Sequence, residues 1–486
     1  MDEGKECEQT LKATRNTKWL FAGPIVLSAG IVLAMLLGFL TPAQPPEYRR
    51  VDNVAHEDEP TTTVVAQTSP TPAGRAMPTA PTTSTPTPAV TITVPPGEEG
   101  PLALQPVILE VADKWREGPF TEERTLNLPE GFRVKVFAGG LKGVRWLALS
   151  PDGLIYATQP REGRVVILPD ANNDGVADEI KVFADDLPGV HGIDFMNGYP
   201  YVATERQVIR LEDTNHDHVA DNRVVLVDDL PVGGNHKTRT ILFGPDGKMY
   251  LSMGSECNAC IDKDPRQAAI SRYTADGKFE KVYAKGLRNA VGIIFHPITG
   301  ELWATNNGRD MLGDELPPET IYNVKEGADY GYPFCYGDQV PDVTQNPPPG
   351  YCEKTGRPAV QMQAHSAPLG LAFYFGDLFP ARFKEDMFVA FHGSWNRSEL
   401  TGYKLVRVRF RENQPDRSAG PLLVEDFATG WLVNGKVWGR PVHPFVLHNG
   451  SMLLTDDYAN AIYLIYYENP QGGGRGGPWD GKSRMM

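Results

Sequence analysis

Six times along the chain a short apolar run meets a turn rich in Gly, Asp or Pro, and a second apolar run follows. The repeats lie at 147–158 (LALSPDGLIYAT), 192–204 (GIDFMNGYPYVAT), 241–252 (ILFGPDGKMYLS), 293–305 (IIFHPITGELWAT), 371–391 (LAFYFGDLFPARFKEDMFVAF) and 445–455 (FVLHNGSMLLT). Each reads as strand, tight turn, strand, with the alternation of a hairpin. Repetition every ~40 to 80 residues, with several strands per unit, predicts an all-β fold, a six-bladed β-propeller. That architecture gathers equivalent loops of every blade around one axial mouth, so residues remote in sequence can meet there. The largest loops are expected at 253–270, 306–366 and 409–440.

The flanks carry a different pattern. Residues 19–40 (WLFAGPIVLSAGIVLAMLLGFL) hold no charge and, as a helix of about 33 Å, would cross a bilayer core of about 30 Å. A cleaved signal peptide is the competing reading. Lys12, Arg15 and Lys18 precede the span closely, which favours a cytoplasmic N-terminus and an exported bulk. Residues 41–104 are rich in Pro and Thr and read as a disordered stalk. The chain thus divides into a cytoplasmic tail (1–18), a transmembrane anchor (19–40), a linker (41–104), the propeller (105–468) and a disordered Gly-rich tail (469–486).

With 61 acidic against 47 basic residues, the formal charge of −14 argues against a nucleic-acid partner. Cys7 precedes the span, whereas Cys257, Cys260, Cys335 and Cys352 follow it. The four are expected to form two local disulfides in an oxidising space, 257 with 260 and 335 with 352, a zinc site being the alternative.

Two acidic loops have the spacing of calcium turns. Asp170, Asn172, Asp174, Gly175 and Asp178 form one; Asp213, Asn215, Asp217 and Asp221 repeat it, with His218 in place of the glycine. Alternating oxygen ligands around a tight turn suit a hard cation, and the bland alternative is a pair of Asx-turns. A second, scattered set consists of Asn235-His236, Arg288-Asn289, the NNGRD loop at 306–310, HGSWNR at 392–397 and Arg440. His236, Arg288 and Arg440 each fall just before the first strand of a blade, and NNGRD follows a second strand. Those connections open on one face of a propeller, so the five segments are expected to form one pocket.

These segments resemble the pyrroloquinoline-quinone-dependent sugar dehydrogenases of the glucose/sorbosone dehydrogenase type. GNHKTRTILFGPDGKMYLSMG is similar to their catalytic-histidine segment, GLRNAVG to their cofactor-binding Arg-Asn, and NNGRD through GDE to DYGYP to their calcium loop. The likeness covers nearly all of 126–466, and HGSWNR with TDDYANAIY points to the sorbosone or pyranose branch. It implies oxidation of an aldose or related sugar or aldehyde by hydride transfer to the quinone. His236 would be the general base and Arg288 the oxyanion stabiliser. Arg288, Asn289, Arg440, Arg397 and Trp395 would hold the cofactor, and calcium would sit at the Gly308 and Arg309 carbonyls. Where the glucose-oxidising branch has a fifth-blade lysine, this chain has Asn396 or Arg397. It lacks that branch's second arginine after Arg440 and has Arg309 in place of a proline. The electron acceptor, a respiratory-chain quinone or a cytochrome, stays open. So does the alternative of a calcium-stabilised propeller that binds a carbohydrate or protein partner without redox chemistry.

Overall fold

The computed structural model describes residues 100–468. The predicted anchor, both predicted tails, nearly all of the linker and Cys7 lie outside the described residues. Within them stand six four-stranded antiparallel sheets, the blades of a propeller. Five run in simple chain order. Blade 1 is Leu147–Leu149, Ile155–Gln159, Arg164–Leu168 and Lys181–Ala184; blade 2 is Gly192–Met196, Tyr199–Ala203, Val208–Glu212 and Asn222–Val227. Blade 3 is Arg239–Phe243, Met249–Met253, Ala269–Tyr273 and Phe279–Lys285; blade 4 is Ile293–Phe295, Leu302–Asn306, Glu319–Val324 and Val360–Met362. Blade 5 is Pro368–Phe373, Met387–Phe391, Lys404–Val408 and Val424–Ala428.

Blade 6 closes the ring. Its inner strands are Pro441–Val446, Met452–Asp456 and Ala461–Tyr467, and its outermost strand is Phe132–Ala138, supplied by the opposite end of the described chain. Phe132, fully buried, is held edge-on by Phe379, Phe383 and Phe427 of the neighbouring blade. Such aromatic contacts add to the area buried and fix the closing strand in place.

Five of the six second strands are buried along their whole length because a blade packs on either side; IYATQ, MYLSM, LWATN and MFVAF are examples. The Pro-Asp-Gly turns beneath them need positive φ, which Gly153 (90°) and Gly247 (70°) supply at no steric cost. The hydroxyl that ends the repeat is a latch between blades. Thr158 donates to the His191 carbonyl (2.7 Å), Thr305 to Leu369 (2.7 Å) and Thr455 to Arg145 (2.8 Å). Ser252 reaches the Ala290 carbonyl in the same way. Each latch ties a second strand to the lead-in or the first residues of the next blade, and the lead-ins carry the candidate site.

No α-helix occurs among the described residues, only six short 3-10 segments. Both predicted disulfides form, Cys257–Cys260 and Cys335–Cys352, so the zinc alternative falls.

Candidate active site

In an antiparallel meander the lead-in to strand one and the loop between strands two and three share a face. His236, Arg288 and Arg440 precede Arg239–Phe243, Ile293–Phe295 and Pro441–Val446, while residues 307–318 and 392–403 are two-to-three loops. All five predicted segments therefore open on one face. The two acidic loops join strands three and four and lie on the opposite face.

On the side formed by blades 3 and 4 the polar groups are closely interlocked. The half-buried His236 contacts the Ser255 carbonyl through Nδ1 at 2.8 Å. A carbonyl accepts only, so Nδ1 carries the proton and Nε2 keeps a free lone pair. Burial, reinforced by the positive charge of Arg288, lowers the imidazole pKa to about 3, against the opposing effect of the Ser255 bond. Gly254 admits no side chain: a Cβ there would lie 2.5 Å from the Cβ of His236 and 2.6 Å from Oδ1 of Asn289. That close approach shows His236 and Asn289 converging. The Asn289 amide side chain has no hydrogen-bond partner among the described residues.

Arg288 is buried and its fork is saturated. Nε donates to the Asn258 carbonyl (2.9 Å) and Nη1 to Gly308 (2.7 Å), while Nη2 donates to Asn258 Oδ1 (3.0 Å) and Asp310 Oδ2 (2.8 Å). Below the NNGRD loop, buried Glu319 accepts from the Gly308 and Ala367 amides at 2.7 and 3.2 Å. Burial raises its pKa to about 7 despite those bonds. Arg309 points its side chain away, to Asp342 (2.7 Å).

The side formed by blades 5 and 6 is less committed. Arg440 lies over the Tyr403 ring and donates only to the carbonyls of His392 (3.1 Å) and Gly393 (3.0 Å). It is partly exposed, pairs with no carboxylate among the described residues and keeps Nη1 free. Asp456, raised to about 7 by burial, accepts from the Arg440 backbone N–H (2.8 Å) and sets the lead-in. Beside it, Asp457 bridges Arg145 (2.6 Å) and His392 (2.8 Å). Burial alone would raise Asp457, but these two partners hold its carboxyl well below the usual range; burial brings His392 down to about 4. Trp395 is 62% exposed on the rim. Arg397, expected as a third cofactor cation, pairs with Glu315 (2.5 Å) and Asp314 O (2.6 Å).

On the far face, Asp170 accepts from the amides of Asp174 (3.1 Å) and Gly175 (2.9 Å), and Asp213 from Asp217 (3.2 Å) and His218 (2.9 Å). Asp178 and Asp221 close their loops by accepting from Ala171 and Thr214, and Asn172 and Asn215 also bond within them. Among the described residues no three carboxylates, imidazoles or thiols are grouped to hold a metal ion.

A model of the TrAA12-like family matches residues 126–467, which take in all six blades. The chain belongs to this family. The resemblance read from the His236 and Arg288 segments thus holds at the family level. Among curated relatives, an uncharacterized protein of Borreliella burgdorferi is 35% identical over 231 residues, covering 46% of this chain and 58% of its own. The pyrroloquinoline quinone-dependent pyranose dehydrogenase of Coprinopsis cinerea is 28% identical over 333 residues, covering 58% of this chain and 44% of its own. The chain spans about half the length of these relatives. The holo pyranose dehydrogenase PQQ domain from Coprinopsis cinerea superposes with a TM-score of 0.59 at 23% identity, over 70% of this chain and 97% of that one. A calcium structure of a Trichoderma reesei AA12 enzyme gives 0.60 at 20%, over 70% and 96%. These likenesses show the fold.

Sequence reasoning missed Asn258, Ser255 and Arg145, and it did not join His392 of HGSWNR to Asp457. Asn258 sits unmarked between two cysteines, and its role depends on a loop from the next blade.

Proposed function

We propose that the chain is a quinoprotein that oxidises an aldose or a related sugar or aldehyde, with pyrroloquinoline quinone as resident cofactor. The observation that carries this reading is His236: an imidazole with Nδ1–H fixed on Ser255 O, Nε2 bare, and a pKa of about 3. A binding module has no need of a base prepared in this way beside a buried arginine.

The residues present fit an anionic, planar ortho-quinone. Arg440 offers an unpaired guanidinium edge, Asn289 a free amide and Trp395 an exposed ring, all on the face of His236. Arg288 adds positive charge behind them; Arg397, paired with Glu315, fits this role less well. Bound there, the quinone supplies the two-electron acceptor that no side chain provides. The chain binds, orients and handles the proton. His236 Nε2 takes the proton of the substrate hydroxyl, and it is unprotonated throughout the neutral range. The same Arg288 charge that weakens the imidazole as a base helps it release that proton to water afterwards.

Calcium belongs to the same reading. The Gly308 carbonyl has one lone pair engaged by Arg288, and the Arg309 carbonyl accepts no hydrogen bond among the described residues. That a calcium structure exists for the Trichoderma reesei relative is in keeping with a calcium ion in this reading. We also place the propeller outside the cytoplasm, tethered through residues 19–40; two disulfides suit an oxidising compartment.

The test is equilibrium titration of the full-length chain with quinone in the presence of calcium, followed by aldoses and a redox dye. Saturable binding and aldose-dependent dye reduction are expected. Failure to bind quinone would end this reading.

A further inference from the structure

Arg288 is held chiefly by one residue that the chemistry above does not use. Asn258 accepts Nε on its backbone carbonyl (2.9 Å) and Nη2 on Oδ1 (3.0 Å). Its Oδ1 also accepts the Asp310 amide (2.8 Å), and its Nδ2 donates to the Asp310 carbonyl (3.2 Å). One side chain and its carbonyl therefore grip both members of the Arg288–Asp310 pair. Two lone pairs of a single amide oxygen serve two donors, which no aliphatic residue of the same shape reproduces.

Asn258 sits inside the ring closed by Cys257–Cys260. Tyr332 spans that ring: its hydroxyl donates to the Cys257 carbonyl (3.1 Å) and accepts from the Cys260 amide (3.1 Å). Ser255 Oγ donates to the same Cys257 carbonyl (2.7 Å), and Ser255 O accepts the hydrogen bond from His236 Nδ1–H. A continuous polar chain thus runs from the imidazole through the ring to the guanidinium.

We propose that Asn258 is a positioning residue for Arg288, and that the Cys257–Cys260 ring fixes Asn258 for that task. The proposal rests on Arg288 belonging to the reaction site as set out above.

The test uses the full-length chain and two readouts. The first is hydrogen exchange of the Arg288 Nε–H, followed by nitrogen-15 NMR and assigned by its disappearance in Arg288→Lys. The second is quinone affinity by absorbance titration. In Asn258→Leu the Nε–H should exchange roughly 10-fold faster and quinone should bind roughly 10-fold more weakly, the loss expected for one hydrogen bond to a charged group. Asn258→Asp keeps the acceptor oxygen for Arg288 but loses the Nδ2 donor to the Asp310 carbonyl, so it should fall between wild type and Asn258→Leu on both readouts. Cys257→Ala/Cys260→Ala, with Asn258 intact but its ring open, should move in the same direction as Asn258→Leu. If Asn258→Leu lowers only the melting temperature while exchange and affinity keep wild-type values, Asn258 is a loop residue and the proposal fails. The exchange measurement needs no quinone. A wild type that binds none would overturn the proposed function and still leave Asn258 to be judged.

Discussion

The two sides of the mouth solve opposite problems. Blades 3 and 4 present an interlocked network of Arg288, Asp310, Asn258 and Ser255 that leaves two groups without partners among the described residues, the Nε2 of His236 and the side-chain amide of Asn289. Blades 5 and 6 present a cation with an uncommitted donor edge, Arg440, while the neighbouring Arg145 is neutralised by Asp457. A rigid, charge-balanced surface suits a base that must keep one tautomer and one position. An uncompensated guanidinium suits the capture of an anion from solvent. Under the proposed function, proton chemistry falls to the side of His236, and the uncommitted cation for the cofactor carboxylates to the side of Arg440.

Replacing the two arginines separates these roles most sharply. Arg288→Ala leaves Asp310 without its partner in a largely buried setting, so it should cost about 3 kcal/mol of stability as well as quinone affinity. Arg440→Gln should weaken quinone binding roughly 10- to 100-fold, the range for a charged hydrogen bond, with the melting temperature unchanged. Thermal melts and quinone titrations on the same preparations give both numbers. Equal losses of stability in the two variants would erase the contrast.

The pH profile probes the base side. The folded-state pKa of His236 is lowered from 6.5 to about 3. Its neutral form is therefore present from about pH 4 upward, and kcat/KM should lose its base only as pH falls towards 3. Stability has the same sign: below pH 6.5 the unfolded chain takes up a proton that the folded chain refuses, so acid destabilises the fold. His443, lowered to about 3, and His392, lowered to about 4, act in the same direction. A kinetic limb near pH 6.5 would show an ordinary exposed imidazole instead.

Removing calcium with a chelator should weaken quinone binding and leave the isolated fold nearly as stable, because the proposed ligands on the chain are two backbone carbonyls. Calorimetry with and without chelator measures both. The smallest effect belongs to the latches: Thr305→Val should cost about 2 kcal/mol, because it removes the bond to the Leu369 carbonyl and leaves the Gly292 N–H unpaired, and leave turnover intact.

The hairpin repeats were legible because the inner strands are buried on both faces and run nearly continuously apolar. The outer strands were not, since segments such as Asn222–Val227 are exposed along much of their length. Closure by Phe132–Ala138 was also hidden, because pairing between the two ends of a domain leaves no local pattern. In the site, His236, Arg288 and Arg440 could be placed by their position before a strand. Their partners could not: Asn258 and Asp310 come from different blades, and whether an arginine is already paired depends on contacts that spacing does not encode. Arg397 is an example: its ion pair with Glu315 joins two loops of different blades and has no signature in its own segment.

The most direct measurement is rapid-mixing absorbance of stoichiometrically bound quinone after addition of an aldose at pH 7, in wild type and in His236→Ala. Wild type should show fast, sugar-dependent reduction. His236→Ala should bind quinone with near wild-type affinity and react about 10² to 10⁴ times more slowly, as loss of a general base predicts. Equal reduction rates in the two proteins would contradict the assignment of His236 as the base.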